Sequence, residues 1–293
     1  MIRAIPTVLL MISVLTVSCW ADETDPGQIL EKVRTTYKSM ETYKSEGTVA
    51  VNMEQEATTT EFLIVLKKPN LYRISWSETS NLTPQNVQSG TVWSDGTQPY
   101  LYMGMTKSYS KISGDQNAIA AATGISSGAA WTIPTFFFSM FKGQPDRFAR
   151  LMNVKLEGIE KVGDEECYVI SGDSKISKKE TFWISKLKNL IVNYSHSLEA
   201  PEGGQKMPEM SDEQITQTMK AMGQEVTEEK VKQMKEQMNM ARTLMNNVKL
   251  KGSSTEIHTQ ISSPELATTD FQFALPEGTV LKESFFDFSG INK

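Results

Sequence analysis

Apolar and polar residues alternate over much of this chain. In Leu71–Ser77, Tyr72, Ile74 and Trp76 share one side of an extended strand, while Arg73 and Ser75 take the other. In Leu190–Ser197, Leu190, Val192 and Tyr194 oppose Asn193 and Ser195. Short runs of β-formers bounded by turn residues predict about 11 strands. They fall at Ser45–Met53, Thr58–Leu66, Leu71–Ser77, Gly90–Ser94, Pro99–Met103, Ser108–Ile112, Val154–Lys161, Glu166–Gly172, Lys179–Ile184, Leu190–Ser197 and Thr255–Ser262. Lys67-Lys68-Pro69-Asn70, Ser94-Asp95-Gly96 and Val162-Gly163-Asp164 each separate two such runs. Successive strands without intervening helices imply an antiparallel meander. Its greasy face and wet face are those of a sheet curled around something.

Three segments follow a helical pattern. Asp25-Pro26 opens a helix in which Ile29, Leu30, Val33, Tyr37 and Met40 recur at helical spacing. Asn117–Gly143 is Ala-rich and then strongly aromatic from Trp131 to Phe141; it is apolar on all sides, which predicts short buried helices inside the concavity. Pro201–Gly252 interrupts two otherwise adjacent strands and holds eight of the 16 methionines. Ser211-Asp212-Glu213-Gln214 is a capping-box start, followed by Ile215, Met219 and Met222 and closed by Gly223. A second start at Thr227-Glu228-Glu229 leads to Val231, Met234, Met238, Ala241, Met245 and Val248 in steps of three and four. Residues 201–252 therefore read as an inserted helical hairpin with a Met-lined seam. The methionines have three readings: packing the two helices together, facing a variable apolar ligand as a lid, or capturing copper through thioethers.

The N-terminus changes the picture of location. Arg3 precedes an uncharged apolar run from Ile5 to Val17, and small residues follow before Asp22. That is the layout of a secretory signal, too short for a bilayer core that needs roughly 20 residues. Residues 1–21 are thus read as a signal segment and 22–293 as the exported, periplasmic part. Two processing points compete. A cut before Asp22 frees the domain, whereas Thr16-Val17-Ser18-Cys19 resembles a lipobox, with Thr16 where Leu is usual, and makes Cys19 a lipidation site that tethers it to a membrane. Cys167 then stands alone in the body, in an apolar alternation that suits a small buried hydrophobe. Arg3 is the sole charge in residues 1–21, so the remaining chain has 29 Lys and Arg (30 less Arg3) against 35 Asp and Glu, a net charge of -6. A mildly acidic chain without a basic stripe argues against nucleic acid.

No constellation of catalytic side chains stands out. His196 and His258 lie on separate strands as ordinary polar residues, without a soft partner at metal-site spacing, so neither a metal nor another cofactor is expected. Gly124-Ile125-Ser126-Ser127-Gly128 matches G-x-S-x-G, but no strand precedes it, as a nucleophile elbow requires. A serine esterase acting through Ser126 is accordingly a distant alternative.

The order of elements resembles the LolA/LolB-like superfamily, and more closely its exported, outer-membrane lipoprotein-sorting-like relatives. The resemblance runs through ILEKVRTTYKSMETYKSEGTVAV, FLIVLKKPNLYRISW, WSDG, PYLYMGMTKSYSKI, GIEKVGDEECYVISG, KKETFWISKLKNLIVNY and DFQFALPEGTVL, and omits the methionine-rich insertion. It implies an α+β fold in which a half-open antiparallel β-barrel encloses short helices. It also implies a non-enzymatic carrier or receptor for acyl chains of lipids or lipoproteins. Tyr72, Ile74 and Trp76 on the sheet, with Phe136, Phe137, Phe138 and Phe141 on the plug, are expected to line the cavity. Met219, Met222, Met234, Met238 and Met245 are the lid candidates, and Arg73 is a candidate for the arginine latch that the resemblance implies. The competing reading is an envelope sensor or scaffold, filled by its own side chains, that binds a protein partner through the hairpin.

Overall fold

Asp25 accepts a hydrogen bond from the Gly27 N–H at 2.9 Å and Pro26 occupies the first turn, so helix α1 (Pro26–Ser39) starts where the sequence predicts. The computed structural model describes residues 25–175, 177–199, 209–221, 226–247 and 251–282, and the backbone alone at 221, 237, 240, 241 and 243–247. Residues 1–21, expected as a signal segment and including Cys19, lie outside the described residues, as does Met222. After α1 come β1 (Thr42–Met53), β2 (Ala57–Lys67), β3 (Leu71–Ser80), β4 (Gln88–Asp95), β5 (Pro99–Met103) and β6 (Ser108–Lys111). The apolar segment forms α2 (Asp115–Ile125) and α3 (Thr132–Phe137), and β7 (Met152–Val162), β8 (Glu165–Asp173), β9 (Glu180–Ser185) and β10 (Ile191–Ser197) follow. The insertion carries α4 (Asp212–Ala221) and α5 (Glu228–Asn247), before β11 (Gly252–Ser262) and β12 (Val280–Leu281).

All twelve strands of the described residues join one sheet in the order β12-β6-β5-β4-β3-β2-β1-β11-β10-β9-β8-β7. The edges β12 and β7 do not pair, so the sheet is a half-open barrel. Every pairing is antiparallel except β12 on β6. The eleven strands read from alternation are all present. The twelfth is a correction to that number: two residues are too short to show a period, and their partner, Ser108–Tyr109, is far away in sequence. β10 and β11 are antiparallel neighbours, so the insertion is the connection of a hairpin. In β10 the register shifts between Ile191 and Asn193, and Leu190, Ile191, Val192 and Tyr194 are all buried. A bulge here overrides the plain alternation expected for this strand.

The concave face holds the core. Tyr72, Ile74 and Trp76 of β3 point inward beside Phe62, Ile64 and Leu66 of β2, and α1, α2 and α3 fill the hollow. The opposite face of β3–β6 is crossed by the chain after β11. Phe273 packs on Trp93 and Tyr102 with ring centroids 5.3 and 5.2 Å away, and Arg73 Nη1 donates to the Gln272 carbonyl at 2.9 Å. Arg73 therefore lies on the convex face and fastens a C-terminal strap. It holds no loop at the mouth of the hollow, because alternation puts it opposite Tyr72 and Ile74.

Candidate ligand-binding site

The residues expected to line a cavity meet inside the sheet, and there they pack on one another. Tyr72, Ile74, Trp76, Phe136, Phe137, Phe138 and Phe141 are each 0–5 % exposed and belong to one core cluster. The Tyr72 ring stands 5.9 Å from Phe138, which stands 5.0 Å from Phe137. Further round the wall, Phe136, Phe148, Phe182 and Tyr194 form a line of rings with centroids 4.6, 5.0 and 4.6 Å apart. Two glycines give the large rings room. A Cβ on Gly90 would come within 2.3 Å of Trp76, and one on Gly47 within 2.4 Å of Phe62 and 2.0 Å of the Ile257 carbonyl.

The plug is fastened to the wall by polar contacts at both ends and in the middle. Tyr72 donates its O–H to Asp115 at 3.0 Å, and Asn70 donates to the same carboxylate at 3.2 Å. Ser127 donates to Glu78 at 2.5 Å, and Thr132 to Glu256 at 2.6 Å. Past the plug, Arg34 of α1 grips Asp146 through two nitrogens, at 2.7 and 2.9 Å. Burial, the largest single influence, would raise the Asp146 carboxyl, but the Arg34 hydrogen bonds and charge together with the Ala149 and Phe148 N–H groups outweigh it and hold the group below its ordinary value. Burial pushes the Tyr72 hydroxyl well up, and the Asp115 charge adds to this.

A polar network on β1, β9, β10 and β11 went unseen in the sequence. His258 Nε2 lies 2.8 Å from Glu256 Oε1 and its Nδ1 3.3 Å from Ser45 Oγ, all three residues being at most 3 % exposed. Tyr194 donates to Glu180 at 2.8 Å and accepts from Arg147 Nη1 at 2.8 Å. The histidines, expected as ordinary strand-face residues, sit on the inner face: His258 is fully enclosed and His196 half-buried. The Tyr43 hydroxyl, close by, is buried without a hydrogen-bond partner. No local pattern could have found this network, since Ser45 and His258 are 213 positions apart.

The other candidates resolve as follows. Ser126 is fully buried at the end of helix α2, where its hydroxyl accepts from the Ala130 N–H at 3.2 Å, so the G-x-S-x-G segment is no strand-to-helix elbow. Cys167 is buried, and burial with the Glu165 charge pushes its thiol up to about 11. Among the described residues no group of three or more His, Cys, Asp and Glu side chains could hold a metal ion, and no helix is long and apolar enough to cross a membrane. In the hairpin the capping box is present, with the Ser211 N–H donating to Gln214 at 2.9 Å and the Gln214 N–H to Ser211 at 3.2 Å. Ile215 and Met219 are 1 % exposed yet lie outside the main core cluster, while Met234 and Met238 are half-buried. Of Met245 only the place in α5 is described.

No curated protein matches this sequence. Among solved structures, an uncharacterized conserved protein from Thermus thermophilus is 10% identical, covers 87% of this chain and 97% of its own, and superposes with a TM-score of 0.41. The lipoprotein LppX of Mycobacterium tuberculosis is 9% identical over 83% of this chain and 99% of its own, with a TM-score of 0.40. A LolA superfamily protein from Nitrosomonas europaea is 10% identical over 84% and 97%, with a TM-score of 0.31. One family model, described as "Predicted periplasmic protein (DUF2092)", matches residues 27–227, from α1 through β10 into the inserted hairpin. The chain belongs to that family of predicted periplasmic proteins.

Proposed function

We propose that this periplasmic protein is a non-enzymatic carrier or receptor that shelters acyl chains of lipids or lipoproteins in the hollow now filled by α2, α3 and the turn to Phe141. The observation behind this reading is the concave face itself. It is lined by Tyr72, Ile74 and Trp76, and covered by a segment outside the sheet whose buried side chains are mostly apolar, among them Ile119, Ile133, Phe136 and Phe137. Exchanging the rings of Phe136, Phe137, Phe138 and Phe141 for an acyl chain replaces one apolar contact by another. The cost of moving the plug then falls on its polar fastenings, each about 1.5–3 kcal/mol net because the acceptor is a carboxylate. A buried chain gains about 0.8 kcal/mol per CH₂, so a chain of ordinary length outweighs several such bonds when the displaced rings stay covered. Met219, Met222, Met234, Met238 and Met245 would serve as an adaptable lid, and an acylated Cys19 would make the molecule a tethered receptor. Mass spectrometry of protein purified without detergent should show bound lipid, and fluorescent fatty acid should be taken up. A lipid-free sample that takes up none overturns the reading.

A second reading has its own support, because the hollow is already filled by the protein's own rings. In it the molecule is an envelope sensor or scaffold whose hairpin docks a protein. Deleting 201–252 separates the two: loss of lipid uptake favours a carrier with a Met lid, whereas loss of partner binding with uptake intact favours the sensor.

A further inference from the structure

Toward β9, β10 and β11 the concave face turns polar, and its carboxylates already have partners. Glu180 accepts from Tyr194, which accepts from Arg147 Nη1. Glu256 is bonded by Thr132 and His258. Two nitrogens are left over: Arg147 Nε and His196 Nδ1 are both buried and have no hydrogen-bond partner. They flank one ring. The Arg147 guanidinium carbon stands 4.4 Å from the centre of Tyr194, and the His196 ring stacks on the same tyrosine at 5.2 Å and 19°. Both side chains are half-buried whereas Tyr194, Glu180 and Glu256 are enclosed, so the pair sits at the rim of the hollow. The apolar interior begins one ring further in, at Phe182 and Phe148.

An arginine Nε can only donate, and an imidazolium donates from both nitrogens. We propose that Arg147 and His196 form an anionic headgroup site, so that the sheltered ligand is an anionic amphiphile. Its carboxylate or phosphate oxygens accept from Arg147 Nε and His196 Nδ1 while its chain lies inward along the rings. This assignment rests on the acyl-binding reading above and adds a ligand class to it.

The charges around His196 give the site a pH signature. Burial and the neighbouring Arg147 hold His196 below its ordinary value, while Glu180 and Glu256 pull it back up. His258 lies beyond Glu256, and Tyr194 faces it directly. A bound anion adds a further upward pull, so binding takes up a proton. Affinity for a headgroup that stays anionic throughout therefore rises as the pH falls through the histidine range, and affinity for a neutral headgroup does not.

The test uses the full mature protein and three probes with the same saturated chain: lysophosphatidylglycerol, the free fatty acid and the neutral monoacylglycerol. Titration at pH 8 and pH 6 should show both anionic probes binding about tenfold or more tightly than the neutral one, the size of one charge-assisted hydrogen bond. The preference for lysophosphatidylglycerol should grow at pH 6. Whichever anionic probe is preferred assigns the head as phosphate or carboxylate. Arg147→Gln should bring the ratio of affinities toward one, and Arg147→Lys should restore part of it. His196→Gln should flatten the pH dependence, and this readout decides the matter if Arg147→Gln does not fold. Equal binding of all three probes by the unaltered protein, or a ratio unmoved in both Gln variants, overturns the headgroup site alone. No binding of any probe overturns the acyl-binding reading with it.

Discussion

Gly47 and Gly90 show how far one side chain can decide the shape of the wall. Phe62 lies over Gly47 and Trp76 over Gly90, each ring crossing to the paired strand where a Cβ would stand. Gly90→Ala meets the Trp76 ring first, and overpacking of this kind costs about 1–3 kcal/mol. Gly47→Ala also meets the Ile257 carbonyl and should cost more. Urea unfolding checks the ranking, and a shift in Trp emission in Gly90→Ala alone identifies the ring that moves. Asp146 tests the plug's exit. Its folded carboxyl is held below the value of an unfolded aspartate, about 3.9, so its stabilisation is complete above that value and fades as the pH falls through the folded one. Asp146→Asn should cost about 1.5–3 kcal/mol at pH 7 and remove that part of the acid dependence. Unfolding curves from pH 7 down to pH 3 that keep the same slope in the variant would refute this. Tyr72, Ile74 and Trp76 were legible as inward residues because alternation reports a face. Arg147 and Glu256 were not, since their meaning depends on which strand or loop lies opposite.

At the level of elements, helix starts and strands were the readable part. Asp25-Pro26, Ser211 with Gln214, and Thr227, whose hydroxyl accepts from the Lys230 N–H at 3.2 Å, all cap where the sequence places them. The exceptions have local causes: a bulge shifted β10, and β12 exists only because β6 offers an open edge. The hairpin tests how independent an insertion can be. The Leu198 N–H, just beyond β10, donates to the carbonyl of Gly252, the first residue of β11, at 3.0 Å, so the two chain ends meet at its base. Replacing 201–251 by a short turn should leave the far-UV spectrum of the sheet and lower the helix content, with a melting temperature within a few degrees of the parent. Collapse of the fold would mean that α4 and α5 complete the core. Phe137 belongs to the plug and should behave oppositely. Phe137→Ala empties a fully enclosed site and should cost about 3–5 kcal/mol, read from chemical denaturation.

For the molecule as a whole, the half-open sheet and its plug make separate predictions for the two parts. If an acyl chain takes the place of the plug, amide exchange in α2 and α3 should speed up on binding while β1, β2 and β11 stay protected. Slower exchange everywhere would instead describe a ligand on the outside of an intact plug. The sheet's connectivity has a consequence in time. β1 is made first and sits in the middle of the sheet, but its partner on one side is β11, and Ser45 meets His258 across 213 positions. Contacts of that span close late. Until β11 arrives, β1 is an open edge, and the meanders β1–β6 and β7–β10 are two half-sheets without the seam that joins them. If the chain crosses a membrane unfolded, its strand order defers folding, since the β1–β11 seam that joins the two halves of the sheet forms only after β10 has been made.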